Sequence, residues 1–548
     1  MDDSLSSFTS EGPWRVQFDQ LPWRAGLDTV RADAHARVPG LLRRRRLPPL
    51  LRLGKTSALL AWAVLAWAAM ERRSGGTISR AGISRRLRRA CERLGPTYIK
   101  LGQIISSSKG ILPDELVAEF GGLRDRVPAD PFEVVRQMVE REFGRPLAEV
   151  FSRFDGEPTA AASIAQVHMA SLATGQEVAV KIQRTKIDRL VERDLAVMAW
   201  LAPILTRRVD ILKIVNLPAV VELFAETIVE ELDFRLEAEN MIDIAVVLDR
   251  AGQRSIVVPR PHPTLVTRRV LVMERMEGFA FTDVAGMRAA QVDTTAVIHA
   301  CLVSVLEGAM IYGVFHGDLH GGNMLIQRDG RIALLDYGIT GRLDDRHRMI
   351  FLRTLLAAMT GDHRSVLAGY QELGAISPDA DLDEFMRDIP IDRPPVTVFA
   401  EASGGSAGGG GSGGAEGFTS ASADAGADQM IGEMQRVTKA LVKHGARLPK
   451  ELMLFMKDFV FIDGAISTLA PDLDVLGEML HISQYFVLEH GAQIASEIGL
   501  DPAALELDPS SWAASMGVED TSRPLSHEDL ERRRRAVRTA MSARHHQH

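Results

Sequence analysis

An α+β fold of two lobes, a small β-rich one followed by a larger helical one, is the architecture this sequence predicts, and three observations predict it. Residues 156–184 carry the short apolar alternation of strands, with a turn at Thr174-Gly175. The regions on either side, and most of the chain after Gly341, place apolar residues at helical spacing. Between them lies HGDLHGGNMLI, residues 316–326, followed by LLDYG ending at Gly338. Apolar runs at residues 324–326 and 332–335 flank a turn at Asp329-Gly330, which reads as a hairpin with Asn323 at one end and Asp336 at the other.

The spacing in that stretch carries chemistry. Asp318 stands five residues before Asn323 and eighteen before Asp336. Phosphoryl transfer needs Mg²⁺ held against the phosphates by hard oxygen ligands, and protein kinases take them from a catalytic-loop Asn and the Asp of D-F-G. A further catalytic-loop Asp positions the acceptor hydroxyl. Asn323 and Asp336 are therefore the candidate metal ligands and Asp318 the candidate catalytic acid, on a protein-kinase-like plan.

Composition sets the bounds. The 548 residues are 46% hydrophobic and 25% charged, enough for a large core and more than one lobe. A net charge of −8 counts against a general nucleic-acid binder. Cys91 and Cys301 make neither a disulfide framework nor a metal cluster and suit a reducing compartment. No secretory signal is visible in the first thirty residues, which contain Asp2, Asp3 and Glu11.

In chain order, residues 1–40 are mixed, punctuated by Pro and Gly, and read as poorly ordered. They open a segment 1–76 that continues with Arg43 to Arg46 and the apolar run of residues 58–70. As a helix that run spans about 20 Å, against about 30 Å for a bilayer core, so it is a weak transmembrane candidate, and it reads equally as a membrane-interface helix or as a buried or partner-facing one. Residues 77–95 are an amphipathic basic helix, opening a helical extension 77–150 that includes Lys100, Gly102 and Gln103. Residues 151–280 form the β-rich lobe with a helical insertion. Its phosphate loop is alanine-rich, Ala160, Ala161, Ala162 and Ser163, and so stiffer than a glycine loop. Lys181, in VAVK, is the candidate for the α- and β-phosphates. Glu237 is the first choice for its helix partner and Glu231 the second. Glu274 and Met276 lie where a strand ends in a hinge-like turn that would meet adenine. Residues 281–500 form the helical lobe, interrupted by a Gly/Ser/Ala tract at 401–428 that reads as a disordered insertion. Leu452, Phe455, Met456, Phe459 and Val460 mark a core helix beyond it. A polar tail, 501–548, has a basic run at residues 532–535 and ends with His545, His546 and His548.

Across residues roughly 85 to 475 the chain resembles the UbiB/AarF family of atypical protein-kinase-like proteins. The resemblance rests on the KxGQ element at Lys100, Gly102 and Gln103, AAASIAQVH from Ala160 to His168, the ExD element at Glu231 and Asp233, and the kinase residues Lys181, Glu237, Asp318, Asn323 and Asp336. It implies that the KxGQ segment lies over the nucleotide site and contacts the ExD acids as a regulatory lid. It also implies ATP and Mg²⁺ as cofactors and a role in isoprenoid quinone or lipid metabolism at a membrane. Gly321 replaces the family's usual proline and Tyr337 the central Phe of D-F-G. No C-terminal apolar run approaches about 20 residues, the length of a spanning helix, so membrane contact is expected at the N-terminal segment.

The leading expectation is an ATP-dependent phosphotransferase or ATPase, cytoplasmic and peripheral to the inner face of the membrane, with lipid or isoprenoid and biosynthetic enzymes as partners. The alternative is a nucleotide-gated scaffold that organises such enzymes with little turnover. An aminoglycoside-kinase-like phosphotransferase would share HGDxxxxN but not KxGQ or AAASIAQVH. A true protein kinase is disfavoured because no A-P-E segment follows DYG.

Overall fold

A computed structural model describes residues 17, 20–44, 48–71, 76–106, 114–121, 123, 128–208, 217–359, 362–383 and 450–498. The expectations for residues 1–16, the tract 401–428 and the tail from 501 lie outside the described residues. The chain divides into two compact units, Met1–Phe281 with Val314–Gly341, and Thr282–Gly313 with Arg342–His548.

The first unit corrects the expectation of disorder before residue 40. A 3-10 turn, Pro22–Arg24, leads into helix α1 (Leu27–Leu42), which buries Leu27 and Val38. Its order comes from partners two hundred residues away, invisible to local composition: Arg31 lies 3.1 Å from Glu239 and donates to Asn240 Oδ1 at 3.2 Å.

Helix α2 (Leu50–Met70) also departs from the sequence reading, because it begins before the apolar run and reaches 21 residues. At 1.5 Å per residue that is about 32 Å, long and apolar enough to cross a bilayer. Its inner face is nevertheless fixed within the unit by buried Thr56 and Ala63. Helix α3 (Gly76–Leu94) packs beside it, and α4 (Pro96–Ser106) and α5 (Asp114–Gly121) pack on α3 and on each other. Phe132–Phe143 (α6) and Leu147–Val150 (α7) lead to the sheet.

The sheet contains β1 (Phe151–Phe154), β2 (Ala160–Ala161), β3 (Ala165–Leu172) and β4 (Glu177–Gln183). Among the described residues, helices α8 (Ile187–Arg208), α9 (Leu217–Glu231) and α10 (Phe234–Arg250) follow, then β5 (Ile256–Val257), β6 (Pro261–Val266), β7 (Val270–Glu274) and β8 (Phe279–Ala280). The main sheet is antiparallel in the order β1-β3-β4-β7-β6, with β2 on β3. Alternation along β4 sends Val178, Val180 and Ile182 into a core with Val135, Met138 and Val139 of α6. Lys181 therefore points from the opposite face.

Residues 282–313 carry α11 (Val284–Ala289) and α12 (Thr294–Glu307) of the second unit. The chain then returns to the first unit with β9 (Val314–His316), β10 (Met324–Ile326) and β11 (Ile332–Leu334). The sequence boundary at 281 assigned these strands to the helical lobe. They pack with the first unit because β11 pairs with β5 and β10 with β8.

The second unit continues with α13 (Asp345–Met359), α14 (His363–Glu372), α15 (Lys450–Leu469) and α16 (Val475–Ile498). Val303, Met310, Ile311, Leu352, Ile482, Phe486 and Ile494 form its core. Residues 294–312 are apolar and long enough to span a membrane, but most of that stretch is buried, as a core helix is. Leu452 and Phe455 are buried on α15.

Candidate functional site

The hairpin expected around Asp329-Gly330 is β10–β11, with Met324 opposite Leu334 and Ile326 opposite Ile332. One step beyond the register, the Leu335 amide donates to the Asn323 carbonyl at 2.9 Å, so Asn323 and Asp336 emerge side by side. His316 fastens the loop to the strand. Its Nε2 donates to the Asp336 carbonyl at 2.6 Å and its Nδ1 accepts the Asp318 amide at 3.1 Å, which requires the neutral ring. Asn323 Nδ2 donates to the Asp318 carbonyl at 3.2 Å, leaving its side-chain oxygen as the free donor atom. The bare α-carbon of Gly321 faces Phe281: a Cβ there would come within 2.7 Å of the ring. That contact accounts for glycine at this position.

Lys181 is the point of convergence. Its Nζ lies 2.6 Å from Glu237 Oε1 and 3.2 Å from Asp336 Oδ1, and 5.5 Å from the centre of the Phe234 ring. Burial alone would lower its pKa, but Asp336 and Glu237 outweigh that and hold it above the ordinary lysine range. Burial pushes the Glu237 carboxyl up to about 7, against the pull of Lys181. Burial would raise Asp336 as well, yet Lys181, Lys100 and the Gly338 amide keep it well below the usual carboxylate range. An acid held ionised beside one kept near neutrality is an arrangement typical of functional sites.

Lys100 approaches from α4. Its Nζ is 2.8 Å from Glu231 Oε1, with side-chain exposures of 13% and 4%. Desolvation opposes its charge, but Glu231, Asp318 and Asp336 together hold it protonated. The KxGQ lysine thus meets one ExD acid. The other, Asp233, is engaged elsewhere: it caps α10 through the Arg235 amide and pairs with the Arg235 guanidinium at 2.7 Å. Of the two acids expected for Lys100, Glu231 is the one it contacts, because the turn between α9 and α10 places Asp233 on a helix cap. Gly102 is demanded by packing, since a Cβ would fall 2.2 Å from Leu123 and 2.9 Å from Phe120. Gln103 lies one residue further along α4 and is partly exposed.

The alanine loop is strapped down. Ala160 and Ala161 pair with Val167 and Gln166. The Ala162 amide donates to the Ala165 carbonyl at 2.8 Å, and Arg184 Nε donates to the Ala162 carbonyl at 2.9 Å. Ser163 is buried. None of these residues has positive φ, so alanine fits without strain. The rest of AAASIAQVH is structural. His168 Nδ1 donates to the Asp155 carbonyl at 2.7 Å, Gln166 Nε2 donates to His168 Nε2 at 2.8 Å, and Gln166 Oε1 accepts the Asp130 amide at 2.8 Å. Asp130 and Arg184 were missed by the sequence reading. Their partners, Thr185 for Asp130 and the Pro128 carbonyl for Arg184, are set by tertiary folding. At the end of β7 the Glu274 carboxylate accepts the Arg260 amide at 2.9 Å. Met276 follows in irregular backbone.

Comparisons with known proteins bear on this site. A family model described as ABC1 atypical kinase-like domain matches residues 122–369. The Mycobacterium tuberculosis protein described as uncharacterized protein Rv0647c is 36% identical over 392 residues, covering 70% of this chain and 74% of that one. An Arabidopsis thaliana chloroplastic protein, described as uncharacterized aarF domain-containing protein kinase At5g05200, is 30% identical, covering 71% and 72%. The probable protein kinase UbiB of Marinobacter nauticus is 34% identical over 306 residues, 55% of each chain.

Proposed function

The chain belongs to the UbiB/AarF family of atypical kinase-like proteins, and from that premise we propose that it binds ATP with Mg²⁺ and turns it over, by hydrolysis or transfer to a small molecule, at a membrane surface. The observation that carries the reading is Lys181 bridging Glu237 and Asp336, with Asn323 beside Asp336.

The donor set fits the metal. Asn323 offers a side-chain oxygen and Asp336 an ionised carboxylate, both hard ligands of the kind Mg²⁺ prefers. Bound there, Mg²⁺ would neutralise charge on the phosphates. Lys181, its rotamer fixed by Glu237, would hold the α- and β-phosphates. Asp318 would position an acceptor hydroxyl or water. Ala160 to Ser163 would cover the phosphates, and the backbone at Glu274 and Met276 would meet adenine. Lys100, paired with Glu231, places a second, partly buried cation near Asp318 and Asp336 and would restrain access.

That last contact supports a second reading, a nucleotide-gated scaffold with little turnover, because a cation near both acids weakens their pull on a metal. The two are separated by measuring ATP binding and ADP release with and without anionic vesicles. Mg²⁺-dependent binding with turnover that rises on vesicles, both lost in Asp336→Asn, is the expected result. Binding without turnover under either condition supports the scaffold. Binding unchanged in Asp336→Asn removes the metal assignment. Isoprenoid quinone or lipid metabolism, and a peripheral position at the inner membrane face, belong to the same proposal. The resemblance carries the first, and the exposed face of α2 supports the second. Metabolite and lipid profiles of a strain lacking the gene test them.

A further inference from the structure

The second unit holds a cluster that nucleotide chemistry does not use. His299 on α12 and Glu478 and His481 on α16 each present a donor atom, and the three atoms lie within 4.8 Å of one another. His299 Nδ1 is hydrogen-bonded to Glu478 Oε1. The His299 and His481 rings stack, with centres 5.2 Å apart and planes inclined by 29°. Glu478 and His481 are three residues apart on one helix and so share a face. The same Glu-x-x-His spacing holds metals inside helical bundles.

We propose that His299, Glu478 and His481 form a binding site for a borderline divalent cation of the Zn²⁺ class, which clamps α12 to the first turns of α16. The donor set decides the class of ion. Two imidazole nitrogens and one carboxylate oxygen suit Zn²⁺ or Co²⁺, whereas Mg²⁺ and Ca²⁺ prefer all-oxygen shells. Two histidines and a glutamate with an open fourth position are an established tetrahedral zinc set. A tetrahedral ion with bonds of about 2.0–2.1 Å needs donors a little over 3 Å apart. His299 and Glu478 already lie closer than that and would part slightly around an ion. His481 is exposed, so its ring is free to turn the remaining distance. A hydrogen bond joins His299 to Glu478, and His481 adds a second imidazole stacked on the first. An ion that binds only the folded arrangement stabilises it by mass action.

The terminal His545, His546 and His548 are a competing source of imidazole, so the test uses the full chain with those three changed to alanine. The buried Cys91 and Cys301 are out of reach of added metal. The probes are Co²⁺, read by its visible absorption, and Zn²⁺, read by competition and thermal denaturation. The expected result is one ion per chain, Co²⁺ bands of tetrahedral intensity, a raised Tm, and no displacement by excess Mg²⁺. His481→Ala, at an exposed position, should weaken binding about tenfold or more while leaving the metal-free Tm unchanged, since even outer-shell changes cost about 10–100-fold. Glu478→Gln should act in the same direction. The proposal is overturned if the tail-substituted chain takes up no Co²⁺ at micromolar concentrations. It is also overturned if uptake is unchanged in both His481→Ala and Glu478→Gln.

Discussion

Tyr337 shows how one atom departs from the kinase pattern. The side chain is fully buried and packs edge-on to His316 at 5.3 Å. Its hydroxyl finds no hydrogen-bond partner among the described residues. A buried polar group without a partner costs about 1–3 kcal/mol. Tyr337→Phe should therefore leave stability unchanged or raise it by about that amount, with nucleotide affinity unaffected. Denaturant unfolding checks it, and a loss of about 1 kcal/mol or more would show that the hydroxyl has a partner elsewhere in the chain. Glu237 supplies a prediction in pH. Its carboxyl ordinarily titrates near 4.5 and sits at about 7 when buried in the fold. The protonated form is thus favoured by folding, and its stabilising contribution, complete below about 4.5, is lost as pH rises through about 7. Stability of the native chain relative to Glu237→Gln should fall between pH 5 and pH 8. Parallel unfolding profiles for the two chains across that range would contradict the assignment.

At the scale of elements, α2, α4 and α8 meet around one buried acid. Asp194 is fully buried on α8, and its carboxylate is paired with the Arg52 guanidinium of α2. The same guanidinium donates to the Leu94 carbonyl at 2.7 Å and lies 5.7 Å from the centre of the Tyr98 ring of α4, two residues before Lys100. Thr56 and Tyr98 add a hydroxyl contact at 3.2 Å. Removing one partner of a buried pair strands the other, at a cost of about 3–5 kcal/mol, whereas replacing both with apolar residues is often close to neutral. Arg52→Met and Asp194→Leu should each lower the denaturation midpoint strongly, and the double variant should recover most of the loss. Additive losses would mean that the pair does not act as a unit. This junction was not legible in the sequence. The β10–β11 hairpin, VAVK and the amphipathic basic helix α3 were, because each is written in residues close together in the chain. Arg52 with Asp194 and Arg184 with Pro128 depend on segments that only folding brings together. Lys100 could be singled out from its motif, but the choice of Glu231 over Asp233 needed the turn geometry.

At the scale of the whole molecule, a chain of net charge −8 has to approach an anionic membrane against its own field. Helix α2 has the surface for it. Residues 50–70 contain no acid, and Leu51, Trp62, Leu65 and Met70 are exposed at 94%, 65%, 64% and 74%. The neighbouring α3 offers less positive charge than its sequence suggests. Arg85 and Arg88 are paired with Glu119 and Arg86 with Glu71, while Arg80, Arg89 and Arg93 are exposed. Attraction should therefore be mainly apolar, with a modest electrostatic part. Salt at about 1 M shortens the screening length to about 3 Å, so raising it should weaken vesicle binding only a few-fold. Burying a large apolar side chain contributes about 1.5–3 kcal/mol. Changing Leu51, Trp62 and Leu65 together to glutamate should then reduce vesicle partitioning by more than about a hundredfold. These side chains face away from the packed surface of α2, so the unfolding midpoint should stay the same. Co-flotation with phosphatidylglycerol-containing vesicles measures the first and denaturation the second. A triple variant that floats as well as the native chain would take the membrane contact away from α2. One that loses binding only together with its fold would show that this face supports the unit rather than a bilayer.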